Sequence, residues 1–176
     1  MKTILNQQQL AITIDRLCHQ LLENHLHFQD TVLIGLQPRG IYLSDRIDQK
    51  FRALLPEVKI PYGKLDITFY RDDYNKGEGL HIPNQTDIRF SIEKKKVILI
   101  DDVLYTGRTI RSALDAMLDF GRPEKIELLV LIDRRFSRQL PIQPDYTGRM
   151  IDSIISQKVK VLWKEKDGKD EVVLIG

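Results

Sequence analysis

The chain is expected to fold as an α/β protein with a central parallel, twisted sheet flanked by helices. Residues 97–100 are apolar, and Ile110, Ala113, Leu114, Met117 and Leu118 follow at helical spacing. Residues 126–132 then form a second apolar run, broken only by Glu127. Strand, helix and strand at this separation make a βαβ unit with parallel strands and a right-handed crossover. A second strand and helix precede it, at 31–36 and 41–51, punctuated by Gly35 and Gly40.

The remaining elements follow in order. Leu10, Ile14, Leu17, Cys18 and Leu21 recur with a helical period, which predicts an amphipathic helix over roughly residues 7–24. Residues 58–70 read as extended, with a bend at Pro61 and Gly63. Residues 71–91 carry Arg71, Asp72, Asp73, Asn75, two glycines, Pro83 and Asn84 without apolar period. So long a structureless stretch inside a compact domain is a functional lid or plain disorder. Gly121 and Pro123 stop the helix that carries Ile110 to Leu118. At the end, residues 159–163 and 172–175 flank Asp167-Gly168 as a β-hairpin.

Composition narrows the classes. With 176 residues, 42% hydrophobic and 30% charged, the chain suits one globular domain, taken here as residues 1–176. Basic and acidic residues number 27 and 25, so overall charge does not point to nucleic acid. Cys18 is the single cysteine, which rules out an internal disulfide or a thiolate zinc cage and fits a reducing cytoplasm. The first nine residues lack the apolar core of a signal peptide, and no apolar run is long enough to span a bilayer. A soluble cytoplasmic protein without a membrane partner is expected.

Function concentrates in Asp101-Asp102-Val103-Leu104-Tyr105-Thr106-Gly107-Arg108-Thr109. An apolar strand ends in two carboxylates, and strand ends of a parallel sheet face the ligand crevice. Thr106 suits a helix N-cap, and Gly107 lets amides approach a ligand closely. The helix start then offers unbonded N–H groups and a positive dipole end to a phosphate. Acids beside a phosphate cradle are reconciled by a sugar phosphate, whose ribose hydroxyls face Asp101 and Asp102 while the loop holds the 5′-phosphate. An ATPase would need a Gly-rich loop ending in Gly-Lys-Ser/Thr, and none is present. Gly77-Glu78-Gly79 lacks the third glycine of a dinucleotide fingerprint. The histidines at 19, 25, 27 and 81 show no ligand spacing.

This segment resembles the phosphoribosyl pyrophosphate signature of type I phosphoribosyltransferases. The resemblance narrows to the PyrR family of pyrimidine-operon attenuation proteins, which are also uracil phosphoribosyltransferases. Arg39-Gly40-Ile41-Tyr42-Leu43, the segment 66–73, Gly121-Arg122-Pro123, Leu140-Pro141-Ile142 and Asp145-Tyr146 before Gly148 are similar to that family too. The match fades after about residue 149.

The resemblance implies the type I phosphoribosyltransferase fold, with a flexible β-rich loop at about 71–91 and a small C-terminal hood at about 134–176. It implies that Pro38, Arg39 and Gly40 form a pyrophosphate loop, that Arg71 meets pyrophosphate from the closing loop, and that Asp133 and Arg134 flank the base. Asp101, Asp102 and Arg71 would carry catalysis. Mg²⁺ would be held mainly by substrate near Asp101 and Asp102, without a direct protein ligand. Tyr105 stands where purine enzymes commonly have aspartate, which favours a pyrimidine base.

Three readings follow. One is a transferase turning uracil and phosphoribosyl pyrophosphate into UMP and pyrophosphate; another is a regulator binding leader mRNA; the last is a transferase for xanthine, hypoxanthine or orotate. A dimer or larger homo-oligomer is expected. The chain departs from the family at Pro38, at 135–139, where Gly-His followed by Arg and Glu gives way to Arg-Phe-Ser-Arg-Gln, one residue longer and without histidine, and at 149–158. Several of these positions belong to the family's RNA surface, where Arg16, Arg135, Arg138 and Arg149 could still supply a basic face.

Overall fold

The computed structural model describes residues 1–71 and 85–176. Five strands build the main sheet: β2 (Thr31–Leu36), β3 (Tyr62–Leu65), β4 (Lys96–Leu104), β5 (Lys125–Arg135) and β6 (Tyr146–Asp152). Their order is β3-β2-β4-β5-β6, and every neighbouring pair is parallel. A sheet of this kind must be covered on both faces, which is why its central strands read as continuous apolar runs.

Side chains alternate along each strand, so β4 serves two cores. Ile98 and Ile100 pack with Leu17, Leu21, Leu43, Ile47 and Phe51 of α1 (Gln7–Asn24) and α2 (Gly40–Leu54). Val97 and Leu99 pack with Ile110, Ala113 and Met117 of α3 (Arg108–Met117). The predicted first helix is present, started by Asn6. Asn6 Oδ1 accepts from the Gln9 amide at 2.9 Å, and Gln9 Oε1 accepts from the Asn6 amide at 3.0 Å, a reciprocal capping box.

Several boundaries differ from expectation. β4 continues past Ile100 to Leu104, because its pairing with β5 runs on through Asp101↔Val130 to Leu104↔Asp133. The two acids therefore lie within a strand rather than beyond its end. Leu118 is 68% exposed, because α3 tightens into a 3-10 turn at Leu118–Phe120 and rotates that side chain off the apolar face. Residues 146–152 are the last strand of the main sheet. The hood sheet is narrower than 134–176, formed by β7 (Lys158–Leu162) and β8 (Glu171–Ile175) with β1 (Lys2–Leu5) added from the N-terminus. The final hairpin is antiparallel as expected, with one helical turn, α4 (Lys164–Asp167), in place of a tight connection.

Residues 72–84 of the expected closing loop lie outside the described residues. Its later part is tied down: Asp87 forms an antiparallel bridge with Lys64, and Gln37 Nε2 donates to the Gln85 carbonyl at 2.7 Å.

Candidate active site

Between the carboxyl end of β4 and the start of α3 lies a cavity of about 520 Å³, a size that suits a nucleotide-like ligand. Its wall is one continuous stretch, Val103 to Ile110, joined by Asp101, Ser112 and Arg71. The structure thus brings Arg71 to the loop that follows β4, although 30 residues of sequence separate it from Asp101. Arg39 lies beside this wall at Asp102, and Gly40 beside Asp101.

Gly107, rather than Thr106, occupies the N-cap of α3, with φ of +92°. Its carbonyl accepts the amide of Arg111 at 3.0 Å, the first bond of the helix. A left-handed backbone favours glycine, and a Cβ there would lie 3.2 Å from Ile142 Cδ1. Thr106 acts one residue earlier, its Oγ1 accepting from the Arg108 amide at 3.3 Å. The first-turn amides have no intrahelical acceptor and are the natural partners of a phosphate.

The acids differ in surroundings. Asp101 is buried, with Oδ1 accepting from the Asp102 amide at 2.9 Å. Burial, and then the neighbouring Asp102 charge, hold its carboxyl well above the ordinary range. Asp102 faces the other side of the strand. Burial raises it too, but Arg39 Nε, 3.5 Å from Oδ2, works in the opposite direction. Gly40 explains how the 38–40 loop comes so close. A Cβ at that position would sit 2.9 Å from Asp101 Oδ1 and 2.8 Å from the Ile100 carbonyl.

Asp133 and Arg134 are both buried, so they are not a surface ion pair. Arg134 reaches the hood: Nε donates to Ser153 Oγ at 2.9 Å, and Nη2 to the carbonyls of Gln157 and Ile154 at 2.8 and 3.2 Å. Asp133 accepts from Arg138 Nη2 at 2.5 Å, while Arg138 Nη1 donates to the Tyr105 carbonyl at 2.7 Å. Gln139 completes this brace. Its amide donates to the Thr106 carbonyl at 2.9 Å, and its side chain accepts from Arg108 Nε at 2.8 Å.

Sequence reading missed this brace, because residues 135–139 carry no periodic signal and only the fold brings them behind the segment 105–108. The other arginines of the expected basic face are also engaged. Arg16 contacts the Thr147 and Gly148 carbonyls, Arg149 the Ile4 carbonyl, and Arg135 the carboxylate of Asp152.

Solved structures share this architecture. The hypoxanthine phosphoribosyltransferase of Trypanosoma cruzi superposes with a TM-score of 0.72 at 16% identity, covering 99% of this chain and 91% of that one. A hypoxanthine phosphoribosyltransferase from Staphylococcus aureus gives 0.67 at 20% identity, covering 88% and 80%. Such low identity carries the fold alone. The phosphoribosyl transferase domain family matches residues 1–166, which makes the fold that of the type I phosphoribosyltransferases. Two relatives narrow this further. The bifunctional protein PyrR of Picosynechococcus is 45% identical over 172 residues, covering 98% of this chain and 96% of the relative. That of Halalkalibacterium halodurans is 42% identical over 175 residues, again covering 98% and 96%. The chain belongs to the PyrR family within the phosphoribosyltransferases.

Proposed function

We propose that the protein transfers the ribosyl 5′-phosphate group from phosphoribosyl pyrophosphate to uracil, releasing UMP and pyrophosphate. The observation that carries this reading is the cavity in which Asp101 shares one wall with the amide-rich start of α3. Displacement at the anomeric carbon develops positive charge on the ribose ring, with only weak bonds to the incoming and departing groups. The protein then contributes placement and fixed charge rather than a covalent nucleophile. Residues Thr106 to Thr109 hold the 5′-phosphate. Asp101 and Asp102 accept the ribose hydroxyls and stabilise the ring charge, and Arg71 meets the pyrophosphate. Arg39 is the second pyrophosphate contact once it leaves Asp102, with Pro38 and Gly40 shaping its loop.

The donor set fits Mg²⁺. Carboxylate oxygens suit a hard cation, and among the described residues no three of His, Cys, Asp and Glu converge as a metal cage. Such an ion would lean on substrate oxygens beside Asp101 and Asp102. When bound, it supplies neutralising charge for the departing pyrophosphate. Arg134 forms the floor of the base site by fixing the hood segment that ends at Gln157, with Asp133 holding Arg138 beside it. A homo-oligomer in the cytoplasm is part of the same reading; among the described residues no helix is long and apolar enough to cross a membrane.

Purified protein with Mg²⁺, phosphoribosyl pyrophosphate and labelled uracil should form UMP. A parallel panel with hypoxanthine, xanthine and orotate decides the base, and turnover of none of them removes the proposal. A second reading, binding of leader mRNA, is supported by the word bifunctional in the relatives' names. It expects salt-sensitive binding, because phosphate contacts release counterions. Equal retention of leader and random RNA on a filter would remove it.

A further inference from the structure

Trp163 is completely buried under the hood, and its indole Nε1–H is the one buried side-chain donor or acceptor among the described residues that lacks a hydrogen-bond partner. Burying an unpaired donor is costly, so such a group in a well-packed site calls for an explanation. The ring itself is held firmly. The Arg46 guanidinium covers it at 4.8 Å from the centroid, and the Trp163 amide donates to Asp167 Oδ2 at 3.0 Å. The N–H acts on the Asp102 carboxylate and favours its charge, yet misses a formed hydrogen bond. Arg39 occupies that carboxylate instead. Its Nε lies 3.5 Å from Asp102, while its Nη2 is bonded to Asp167 and to the Val161 carbonyl.

We propose that Trp163 is a positioning residue for the sugar-phosphate site, its indole N–H taking hold of Asp102 when the pyrophosphate of the substrate draws Arg39 away. The inference rests on the transferase reading above. Arg39 cannot serve a pyrophosphate and remain where it is, because its guanidinium is spread over Asp102, Asp167 and Val161. Once it turns, Asp102 is left buried without its cation, and the orphan donor beside it completes the carboxylate's shell. The exchange keeps Asp102 charged and aimed at the ribose through the reaction.

The chain has one tryptophan beside six tyrosines, so emission excited beyond the tyrosine absorption band reports on Trp163 alone. Phosphoribosyl pyrophosphate with Mg²⁺, titrated into the full-length protein, should change that emission with the midpoint given by calorimetry. In Arg39→Gln the unliganded emission should already resemble that of the liganded wild type. Trp163→Phe keeps a buried ring and removes the N–H; it should lower kcat about tenfold while KM for phosphoribosyl pyrophosphate stays within about twofold. Binding by calorimetry with no change in emission overturns the inference and leaves the transferase reading standing. An unchanged kcat in a folded Trp163→Phe also overturns it. If calorimetry detects no binding at all, the transferase reading falls and takes the inference with it.

Discussion

The guanidinium of Arg134 lies over the ring of Tyr105, 4.0 Å from its centroid. The contact joins the segment 153–157 to the cavity wall, because Arg134 also holds the Ile154 and Gln157 carbonyls while Tyr105 lines the cavity. Arg134→Ala should therefore damage both stability and base affinity. Leaving Ser153, Ile154 and Gln157 without their buried donor should cost about 3 kcal/mol in denaturant unfolding. Lysine should restore little, since one ammonium cannot reproduce the fork. A fully stable Arg134→Ala protein would show that the hood segment holds itself.

Asp101→Asn should separate stability from activity. Its carboxyl is raised in the folded state by burial and by Asp102, so the charged form works against folding. The folded state binds the proton more tightly, and stability falls as pH rises above the ordinary carboxylate range. Asparagine still accepts from the Asp102 amide and removes that cost. The melting temperature near neutral pH is expected to equal or exceed that of the wild type, while UMP formation drops about a hundredfold. A clear fall in melting temperature with the rate intact would refute both halves.

Gly107→Ala tests the phosphate loop. Alanine at φ of +92° costs about 1–2 kcal/mol, and its Cβ also meets Ile142 and Leu140. The expected result is a higher KM for phosphoribosyl pyrophosphate, with a smaller effect on the KM for uracil. Equal effects on both constants in steady-state kinetics would mean that the loop does not hold the phosphate end.

At the opposite end of the sheet, Glu127 accepts from Lys125 Nζ at 2.6 Å and Tyr146 Oη at 2.8 Å, and bonds His25 Nε2 at 2.7 Å. Burial alone would raise its carboxyl, but these partners outweigh it and hold the pKa at about 2. A depressed acid stabilises the fold above its unfolded value and loses that contribution as pH falls through the folded one. Stability should therefore decline between about pH 4.5 and pH 2, and Glu127→Gln should flatten the decline. Urea unfolding across that window measures the slope, and identical slopes would assign acid sensitivity elsewhere.

Local chemistry explains which parts of this structure were readable from sequence. The wall of the cavity was legible because its acids, glycine and hydroxyls are consecutive, and the parallel core because buried strands are apolar runs. Arg71 was placed only through family resemblance, since nothing local ties it to a strand 30 residues later. Trp163, Asp167, Arg138 and Gln139 were missed for the same reason: each acts through a contact that folding creates. Thr106 was taken as the helix cap from its side chain, whereas the backbone turn at Gly107 decides where the helix begins.

The pairing of Lys2↔Leu174 and Thr3↔Val173 places the first strand of the chain beside the last. The contact closes a loop that takes in every other described element of the fold. Contacts of such long range are slow to form, because loop-closure entropy must be paid before they contribute. Assembly of the small sheet is accordingly expected to be slow, and deleting β1 should bare an edge of β8 while leaving the strand pairs of the five-stranded sheet in place.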